Sequence, residues 1–591
     1  MNGSRKDDVS APQQQHAALP VVFANTVGLF MPPAKDGERA DTAVLFASPW
    51  GLEEISTRKF RRVLAEDLSR QGIASLRFDY PGTGDALDPP DFQAGLRVWE
   101  DSLVAAADVL RTAGYGRLVV VAQGLGAALT LGAARRIPNL DGIALLAPVL
   151  SGRTHLRELA LWAKVVDGYL QIREEHRVKQ GVAIAGLTMP DEIAADIRKL
   201  DLRKIPDRIA DNCLLLAQPG QAGAAEFAAH LRGFGAQVAE GVFTGYQELV
   251  SNPLTSQIPS EIVSEIVSWA CGLKTVLSPS KRPAGPAIVA AEALSGEDFE
   301  ETPLRFGRND RLYGIFCRPK GERTGATAIL LGSAYDRHSG WGRLTTETAR
   351  RLAAAGVASL RFDAANVADS PPLAGAPEQV LYDEVQQVDV REAVDYVESR
   401  NLLPAIAVGR CSGAYLAFQS TLKDSRLRGL VAVNPYTFHW DAARPYDPAS
   451  TPLSLEAYGE KIFRFDTIAR LLKGEINAGR SALKLKKAIQ KKLSRILWMK
   501  FHLTFMGTKE QVETKAGFDK LLKDRIPASL VYSSGDIGLD NILNIFRIEA
   551  PKLPGFENVV VDLIDGADHN LTPGFSRELF GNRILGMASK V

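Results

Sequence analysis

The sequence predicts an α/β protein of two tandem domains, each a mostly parallel sheet flanked by helices and carrying a helical cap insertion. The first observation is an internal repeat: residues 72–79 (GIASLRFD) recur at 356–363 (GVASLRFD), 284 positions further on. Segments 118–126 and 142–148 recur 287 positions further on. A near-constant displacement over three strand-like segments indicates duplication. The chain, at 591 residues, is also too long for a single core.

Strand-like and helix-like segments alternate along the first copy. Strands are expected at 43–48, 73–78 and 118–122, and helices near 59–71 and 101–113. The second copy follows the same order. Such alternation is typical of a parallel sheet with helices on both faces.

The domain boundaries follow from composition. Pro and Gly, which break helices and strands, are frequent between the two copies and indicate a linker there. The predicted order is a disordered tail at 1–18, a first domain at 19–272 with a cap at about 149–207, a linker at 273–297, and a second domain at 298–591 with a cap at about 436–526.

Charge and composition exclude several classes of partner. The chain has 70 Lys and Arg against 69 Asp and Glu, so no net field attracts nucleic acid. No apolar run approaches the roughly 20 residues that span a bilayer, and residues 1–15 lack a hydrophobic signal segment. The four cysteines are too scattered for a disulfide framework or a metal site. We therefore expect a cytoplasmic protein without a metal or nucleic-acid partner; the oligomeric state stays open.

A candidate nucleophile, Cys411, lies in the pentapeptide 409–413 (GRCSG). An apolar run at 405–408 precedes it, and a small-residue, helix-forming stretch at 414–418 follows. A strand, a sharp turn and a helix, with the nucleophile at the turn, form a nucleophile elbow, where Ser is more usual than Cys. The thiolate is the reactive form, and a neighbouring His can lower the thiol pKa or act as a base.

A carboxylate and an imidazole follow Cys411 in the chain order that such elbows require. Asp536 stands in the turn after the strand-like segment 530–532, and His569 follows the strand-like segment 559–564. Carboxyl ends of strands are where the sites of open α/β sheets gather. The sequence therefore predicts a Cys411–His569–Asp536 triad.

Other acids near these positions have alternative interpretations. Asp540 lies one helical turn beyond Asp536 and is a second candidate acid, whereas Asp565 and Asp568 fit solvated loop charges or helix caps.

Two backbone N–H groups are expected to form an oxyanion hole. One belongs to Ser412, directly after the nucleophile, and the other to the loop 332–338, near Ser333. His338 in the same loop is expected to be an exposed side chain without a role, and the alternative interpretation is a second functional histidine.

The first copy lacks these groups. Alignment of the copies places Gly124 at the position of the nucleophile, Gly220 at that of the acid and Glu248 at that of the base. It keeps a Gly-rich turn at 79–85, which the second copy loses at 364–369. The first copy is therefore expected to be a non-catalytic scaffold or binding domain.

The second cap contains a basic stretch. Residues 476–509 include no Asp or Glu. A helix here would have one apolar and one basic face, made respectively of Leu485, Ile489, Leu493, Ile496 and Leu497, and of Lys484, Lys487, Lys491 and Arg495. It fits a membrane surface, a polyanionic carrier such as coenzyme A or an acyl-carrier protein, or a lid with a solvated face.

These motifs resemble the α/β-hydrolase superfamily, and both halves are similar to its serine aminopeptidase-like and dienelactone-hydrolase-like branches. Dienelactone hydrolases resemble the chain in using Cys at the elbow with Asp and His. Segments 409–414 and 433–440 also resemble bacterial hydrolases associated with surface-polysaccharide biosynthesis.

The resemblance and the motifs together imply a Cys-dependent acyl hydrolase (esterase, thioesterase or lactonase) or acyltransferase without a cofactor. Its substrate would be a small-molecule or carrier-bound acyl group. The alternative is a non-enzymatic scaffold in a polysaccharide or lipid assembly.

Overall fold

Two separate mixed sheets, of eight and nine strands, organise the chain in a computed structural model. The structure describes residues 17–34, 40–206, 209–250, 256–274, 293–441, 509–548 and 552–591. Residues 1–16 of the predicted tail, most of the predicted linker and the basic stretch of the second cap up to residue 508 lie outside these residues.

The first unit (17–274) contains the eight-stranded sheet. Its strands are β1 (Leu19–Phe23), β2 (Thr26–Met31), β3 (Thr42–Ala47), β4 (Ala74–Phe78), β5 (Arg117–Gln123), β6 (Leu140–Leu146), β9 (Asn212–Ala217) and β10 (Gln237–Val242), and a separate hairpin contains β7 (Val182–Ile184) and β8 (Leu187–Met189). Their order in the sheet is β1-β2-β4-β3-β5-β6-β9-β10. Only the β1–β2 and β2–β4 pairs are antiparallel.

The second unit (293–591) contains the nine-stranded sheet. Its strands are β11 (Leu294–Ser295), β12 (Phe299–Phe306), β13 (Leu312–Pro319), β14 (Thr327–Leu331), β15 (Ser359–Phe362), β16 (Ala405–Arg410), β17 (Leu427–Val433), β18 (Ala528–Ser533) and β19 (Val559–Ile564). Their order is β11-β12-β13-β15-β14-β16-β17-β18-β19. Apart from β11, this order matches the first sheet strand for strand.

Helices cover both faces of each sheet. They are α1 (Leu52–Arg70), α2 (Arg97–Thr112), α3 (Leu125–Ala133), α4 (Gly152–Tyr169), α5 (Asp191–Lys199), α6 (Ala224–Gly233), α7 (Tyr246–Val250), α8 (Ser260–Gly272), α9 (Leu344–Ala354), α10 (Glu384–Ser399), α11 (Ser412–Lys423), α12 (509–523), α13 (Ile537–Phe546) and α14 (Gly574–Ala588). Leu45 of β3 packs with α2 and α3, whereas its neighbour Phe46 packs with α1 and α8. Because both faces of these strands are buried, their sequences are continuous apolar runs and do not alternate between apolar and polar residues. The predicted α/β fold class is confirmed.

The connection from β6 to β9 holds α4, the β7–β8 hairpin and α5. The equivalent connection of the second unit, from β17 to β18, lies largely outside the described residues. Its described end, α12, leads into β18. Within the described ranges, no helix combines the length and the apolar character that crossing a bilayer requires.

The two units are joined by a crossed pair of buried ion pairs. Arg77 Nε lies 2.8 Å from Asp369 Oδ1, and Arg361 Nη2 lies 3.0 Å from Asp85 Oδ1. The four residues stand at equivalent positions, 284 apart, so each unit gives one arginine and one carboxylate to its partner. All four are at most 1% exposed. Buried charges are tolerated only when they are paired and hydrogen-bonded in this way.

Arg337 and His338 strengthen this junction. Arg337 binds both oxygens of Asp79, at 3.0 and 2.9 Å, and Asp85 at 3.0 Å. His338 Nδ1 lies 2.9 Å from Asp363, and its Nε2 lies 2.6 Å from Asp85. Burial lowers the pKa of His338, but Asp85 and Asp363 outweigh that effect and raise it to about 9. The expectation that His338 is exposed is wrong, because it bridges carboxylates of both units as an imidazolium.

The Gly-rich turn that the second copy lost in sequence is present in its structure. Gly82 and Gly84 have φ of 78° and 50°, and the equivalent Asn366 and Ala368 have φ of 63° and 38°. Both turns close in the same way: Asp79 accepts the N–H of Asp85, six residues on, and the equivalent carboxylate of the second unit accepts that of Asp369, each at 3.1 Å. The expected loss was wrong because the side-chain contacts of the turn hold the backbone without glycine.

We predict that Asp85→Asn destabilises the protein strongly, because Arg337, His338 and Arg361 all depend on this carboxylate. Breaking a buried pair costs about 3 kcal/mol or more in the free energy of unfolding. Chemical denaturation measures the loss. The matched control is Asp101→Asn, which removes an exposed carboxylate from surface pairs and should cost less than about 1 kcal/mol. Equal losses in the two variants would contradict this account of the junction.

The junction should also respond to pH through His338. Because its folded pKa is raised, the stability it contributes is complete below about pH 6.5 and is lost as the pH rises through about 9. The difference in unfolding free energy between wild type and His338→Gln should therefore shrink between pH 6 and pH 9.5. A difference that stays constant over this range would show that His338 is not held as a cation.

Candidate active site

Cys411 stands at a strained turn between β16 and α11. Its φ is 54° and its ψ −121°, a combination that non-glycine residues rarely adopt and that costs on the order of 1–3 kcal/mol. Strand β16 ends at Arg410, and α11 begins at Ser412. The thiol is thus presented at the carboxyl end of a central strand, as in a nucleophile elbow.

The two glycines of the pentapeptide let this turn close. A Cβ atom on Gly409 would lie 2.1 Å from the carbonyl oxygen of Gly413, and one on Gly413 would lie 2.6 Å from that of Gly332. Any side chain at either place would collide with backbone, which explains the G-x-C-x-G pattern physically.

An imidazole and a carboxylate meet beside this turn. His569 Nδ1 lies 2.5 Å from Asp536 Oδ2, while Asp536 Oδ1 accepts the N–H of Gly538 at 2.9 Å and caps α13. The carboxylate therefore fixes the ring orientation and leaves Nε2 of His569 as the other proton-carrying position. That nitrogen is buried and makes no hydrogen bond of standard geometry to a described residue, whereas the thiol of Cys411 is close enough to affect the pKa of the ring. Asp540, the other candidate acid, is exposed on α13.

The thiol and the imidazole change each other's pKa. Burial raises the pKa of Cys411, but the effects of His569, Arg410 and Ser333 together outweigh it and lower the pKa below its usual value. Burial lowers the pKa of His569, but Asp536 and Cys411 outweigh it and raise that pKa to about 10. Both shifts favour a thiolate beside an imidazolium, the reactive form of a catalytic cysteine.

The two serines of the predicted oxyanion hole both lie near the thiol. The Ser333 hydroxyl contributes to the lowered pKa of Cys411. Ser412 Oγ accepts the N–H of Ala334 at 2.7 Å, which ties the loop after β14 to the elbow. The amide of Ser412 belongs to the first turn of α11, where N–H groups have no acceptor within the helix.

Arg410 joins the loops around the site. Its Nη2 lies 3.0 Å from Asp336 in the loop after β14, and its guanidinium also binds the side chain of Asn570, next to His569. Asp568 stabilises the same segment by accepting the backbone N–H groups of Asn570 and Thr572, at 3.0 and 2.6 Å. The partners of Arg410 lie 74 and 160 positions away in the chain, so the motif alone does not predict its contacts.

Asp565, considered as a solvated loop charge, forms a pair with the first unit. Arg173, beyond α4, binds both of its carboxylate oxygens, at 3.0 and 2.6 Å. Asp565 and Asp568 therefore contact other groups than His569.

The first unit keeps the elbow without the thiol. Gly124 has φ 54° and ψ −119°, nearly the values of Cys411. A Cβ at Gly124 would lie 2.5 Å from Oε2 of Glu53, so a carboxylate fills this space. Glu53 Oε1 accepts hydrogen bonds from Gln123 and Tyr246, each at 3.0 Å, and burial raises the pKa of Glu53 to about 7.

The remaining positions of the first unit carry no equivalent chemistry. Pro49, the second residue after β3, takes the place that Ser333 has after β14, and proline has no N–H to donate. Glu248, aligned with His569 in sequence, is exposed on α7. Gly220, aligned with Asp536, lies in an open turn after β9. Within the described ranges, no group of three or more His, Cys, Asp or Glu side chains is placed to hold a metal ion.

No protein-family model matches the chain, and no curated protein sequence does. Solved structures that align with it include a dienelactone hydrolase from Anabaena variabilis ATCC 29413, at 9% identity over 49% of this chain and 97% of that one, with a TM-score of 0.29. VinJ aligns at 14% identity over 44% of this chain and 99% of its own, with a TM-score of 0.30. The α/β hydrolase GrgF from Penicillium sp. sh18 aligns at 16% identity over 49% and 99%, with a TM-score of 0.30. At these values the likeness concerns the fold class only.

We predict that His569 controls the reactivity of the thiol. The pH midpoint for alkylation of wild-type Cys411 by iodoacetamide should lie below the ordinary thiol pKa of about 8.5, because the pKa of this thiol is lowered. In His569→Ala the midpoint should move above that value, because burial then raises the pKa with less opposition, and the rate at pH 7 should fall about 10-fold or more. Mass spectrometry identifies the modified cysteine.

Cys271 is the internal control, since it is half-buried in the first unit and burial raises its pKa. It should react slowly and equally in both proteins. An unchanged midpoint for Cys411 would mean that the imidazole does not act on it.

Proposed function

We propose that the second unit is a Cys-dependent acyl hydrolase or acyltransferase in which Cys411 is the nucleophile, His569 the base and Asp536 its orienting acid. One observation carries the proposal: a strained turn presents a thiol whose pKa is lowered by an imidazole, and that imidazole is held by a carboxylate at 2.5 Å.

In the first half-reaction, the Cys411 thiolate attacks the carbonyl carbon of an ester, lactone or thioester and forms a C–S bond. The N–H groups of Ser412 and of the backbone near Ser333 stabilise the negative charge on the carbonyl oxygen. When the carbonyl re-forms, the bond to the leaving alcohol or thiol breaks. His569 Nε2 gives that leaving group its proton, and an acyl-cysteine thioester remains.

In the second half-reaction, His569 takes a proton from water, and the hydroxide oxygen attacks the acyl-cysteine carbonyl. The C–S bond breaks, a carboxylic acid leaves, and the Cys411 thiolate is regenerated beside the His569 imidazolium, which keeps the proton taken from water. An alcohol in place of water would give a new ester by the same steps, which is why transfer and hydrolysis are both compatible with this site.

We infer that the first unit arose as a copy of the same domain and does not catalyse this reaction. Gly124 offers no nucleophile, Pro49 offers no oxyanion donor, and Glu53 fills the space that the side chain of a nucleophile would occupy. Three independent losses around one retained turn support a unit kept for structure or binding.

We predict that Cys411→Ala lowers hydrolysis of a panel of p-nitrophenyl esters and acyl-coenzyme A thioesters by about 1,000-fold or more, since removing a nucleophile removes its covalent step. Spectrophotometric release of nitrophenol or free thiol measures the rate. Cys271→Ala, which removes a half-buried thiol of the first unit, should leave the rate unchanged. Activity that survives in Cys411→Ala would exclude this cysteine, and a wild type inactive on every substrate, with an unreactive Cys411, would favour a non-enzymatic scaffold.

A further inference from the structure

A cavity between the two units lies apart from the elbow. Its volume is about 620 Å³, counting its open mouth. The first unit supplies the loop after β3 and the turn after β4, and the second supplies residues 336–343 of the loop after β14. Carboxyl ends of parallel strands, where these loops begin, are the usual place for ligands in open α/β sheets.

Three side chains that line this cavity have buried hydrogen-bond donors without a partner among the described residues: Ser48 Oγ, Arg337 Nε and Trp341 Nε1. The three residues are 4%, 5% and 6% exposed. Ser48 belongs to the first unit and the other two to the second, so the donors come from both walls. Buried donors are nearly always satisfied in folded proteins, so each of these three requires an acceptor, such as a water or a ligand oxygen, that reaches it from the cavity side.

The remaining lining supplies an apolar surface. Trp50, Ile55 and Phe78 of the first unit contribute to the wall, and so does Leu187 of the β7–β8 hairpin. Cavities that bind small molecules combine mostly apolar walls with a few placed polar groups.

The charged groups of the wall are already paired. The two terminal nitrogens of Arg337 bind Asp79 and Asp85, and Arg343 binds Asp88 and the carbonyl oxygens of the turn after β4. The free donors of the wall therefore call for hydrogen-bond acceptors, whereas its charged groups do not call for a counter-ion.

We propose that this cavity is a binding site for a small organic molecule that carries a carbonyl or carboxylate oxygen on an apolar body. Ser48 Oγ, Arg337 Nε and Trp341 Nε1 are the donors available to its oxygen atoms, and the aromatic and aliphatic wall packs against the body. The proposal gives the first unit a binding role and does not depend on the chemistry at Cys411.

The site adjoins the loops around the thiol. Asp336, Gly340 and Trp341 also line a second cavity of about 420 Å³, whose wall includes Ser333 and Arg410. A ligand that contacts Trp341 therefore lies one residue away from the groups around the thiol.

Isothermal titration calorimetry of the full chain with benzoate and with benzamide tests the proposal, since the two probes share a ring and differ in charge. We expect saturable binding of at least one probe, and its identity separates a carboxylate site from a neutral carbonyl site. Trp341→Phe keeps the ring but loses the N–H, and Ser48→Ala loses the hydroxyl; each should weaken binding about 10-fold. Trp269→Phe, in α8 and outside the cavity, should leave binding unchanged.

Absence of saturable binding for both probes up to roughly 10 mM, a concentration that detects weak fragment-like ligands, would overturn the proposal. Unchanged affinity in both Trp341→Phe and Ser48→Ala would also overturn it. Circular dichroism checks that each variant folds, and if Trp341→Phe does not, Ser48→Ala decides. Binding in Cys411→Ala should equal that of wild type, so failure of the catalytic proposal is distinguishable from failure of this one.

Discussion

The exchange of buried arginine–aspartate pairs is the constraint on which the junction depends. Arg77 reaches Asp369, and Arg361 reaches Asp85, so each unit leaves an unpaired buried charge if its partner is absent. A lone buried charge costs far more than the pair contributes, so the pairs fix how the units meet more than they raise stability. The near-identity of the segments GIASLRFD and GVASLRFD has a physical reason here, because both units must supply the same arginine from the same strand.

A continuous series of contacts runs from this junction to the thiol. Asp79 and Asp85 of the first unit hold Arg337, and its neighbour Asp336 binds Arg410, the residue before Cys411. Arg410 also binds Asn570, which follows His569. The loop after β14, the elbow and the histidine loop are thus held together by charge-assisted hydrogen bonds, which are stronger and more directional than neutral ones. The first unit contributes to the geometry of the second unit's site without entering it.

The sequence predicted the elbow, which depends mainly on neighbouring residues, and missed contacts between residues that are distant in the chain. Two glycines around Cys411, between an apolar run and a small-residue helix, are sufficient to predict the elbow, and the collision that Gly409 avoids is with Gly413, a neighbour in sequence. The close approach of Gly413 to Gly332, in the loop after β14, is a long-range contact that the pentapeptide alone does not reveal. His338 was misjudged because its partner Asp85 lies 253 residues away. The turn around Asn366 was misjudged because its positive φ is maintained by contacts of buried carboxylates and not by glycine. Glu53 was missed for the same reason as His338, since Gly124, the residue it faces, stands in another strand–helix turn.

The two elbows have the same backbone conformation but different residues at the turn. Both turns have a φ of 54°, so the backbone shape belongs to the fold and not to catalysis. Glycine adopts this conformation without strain, whereas a residue with a side chain costs on the order of 1–3 kcal/mol. The first unit, with Gly124, avoids that cost; the second accepts it at Cys411. Strain that persists at one of two equivalent turns, and only where an imidazole lowers the pKa of the thiol, is best explained by the use of that thiol.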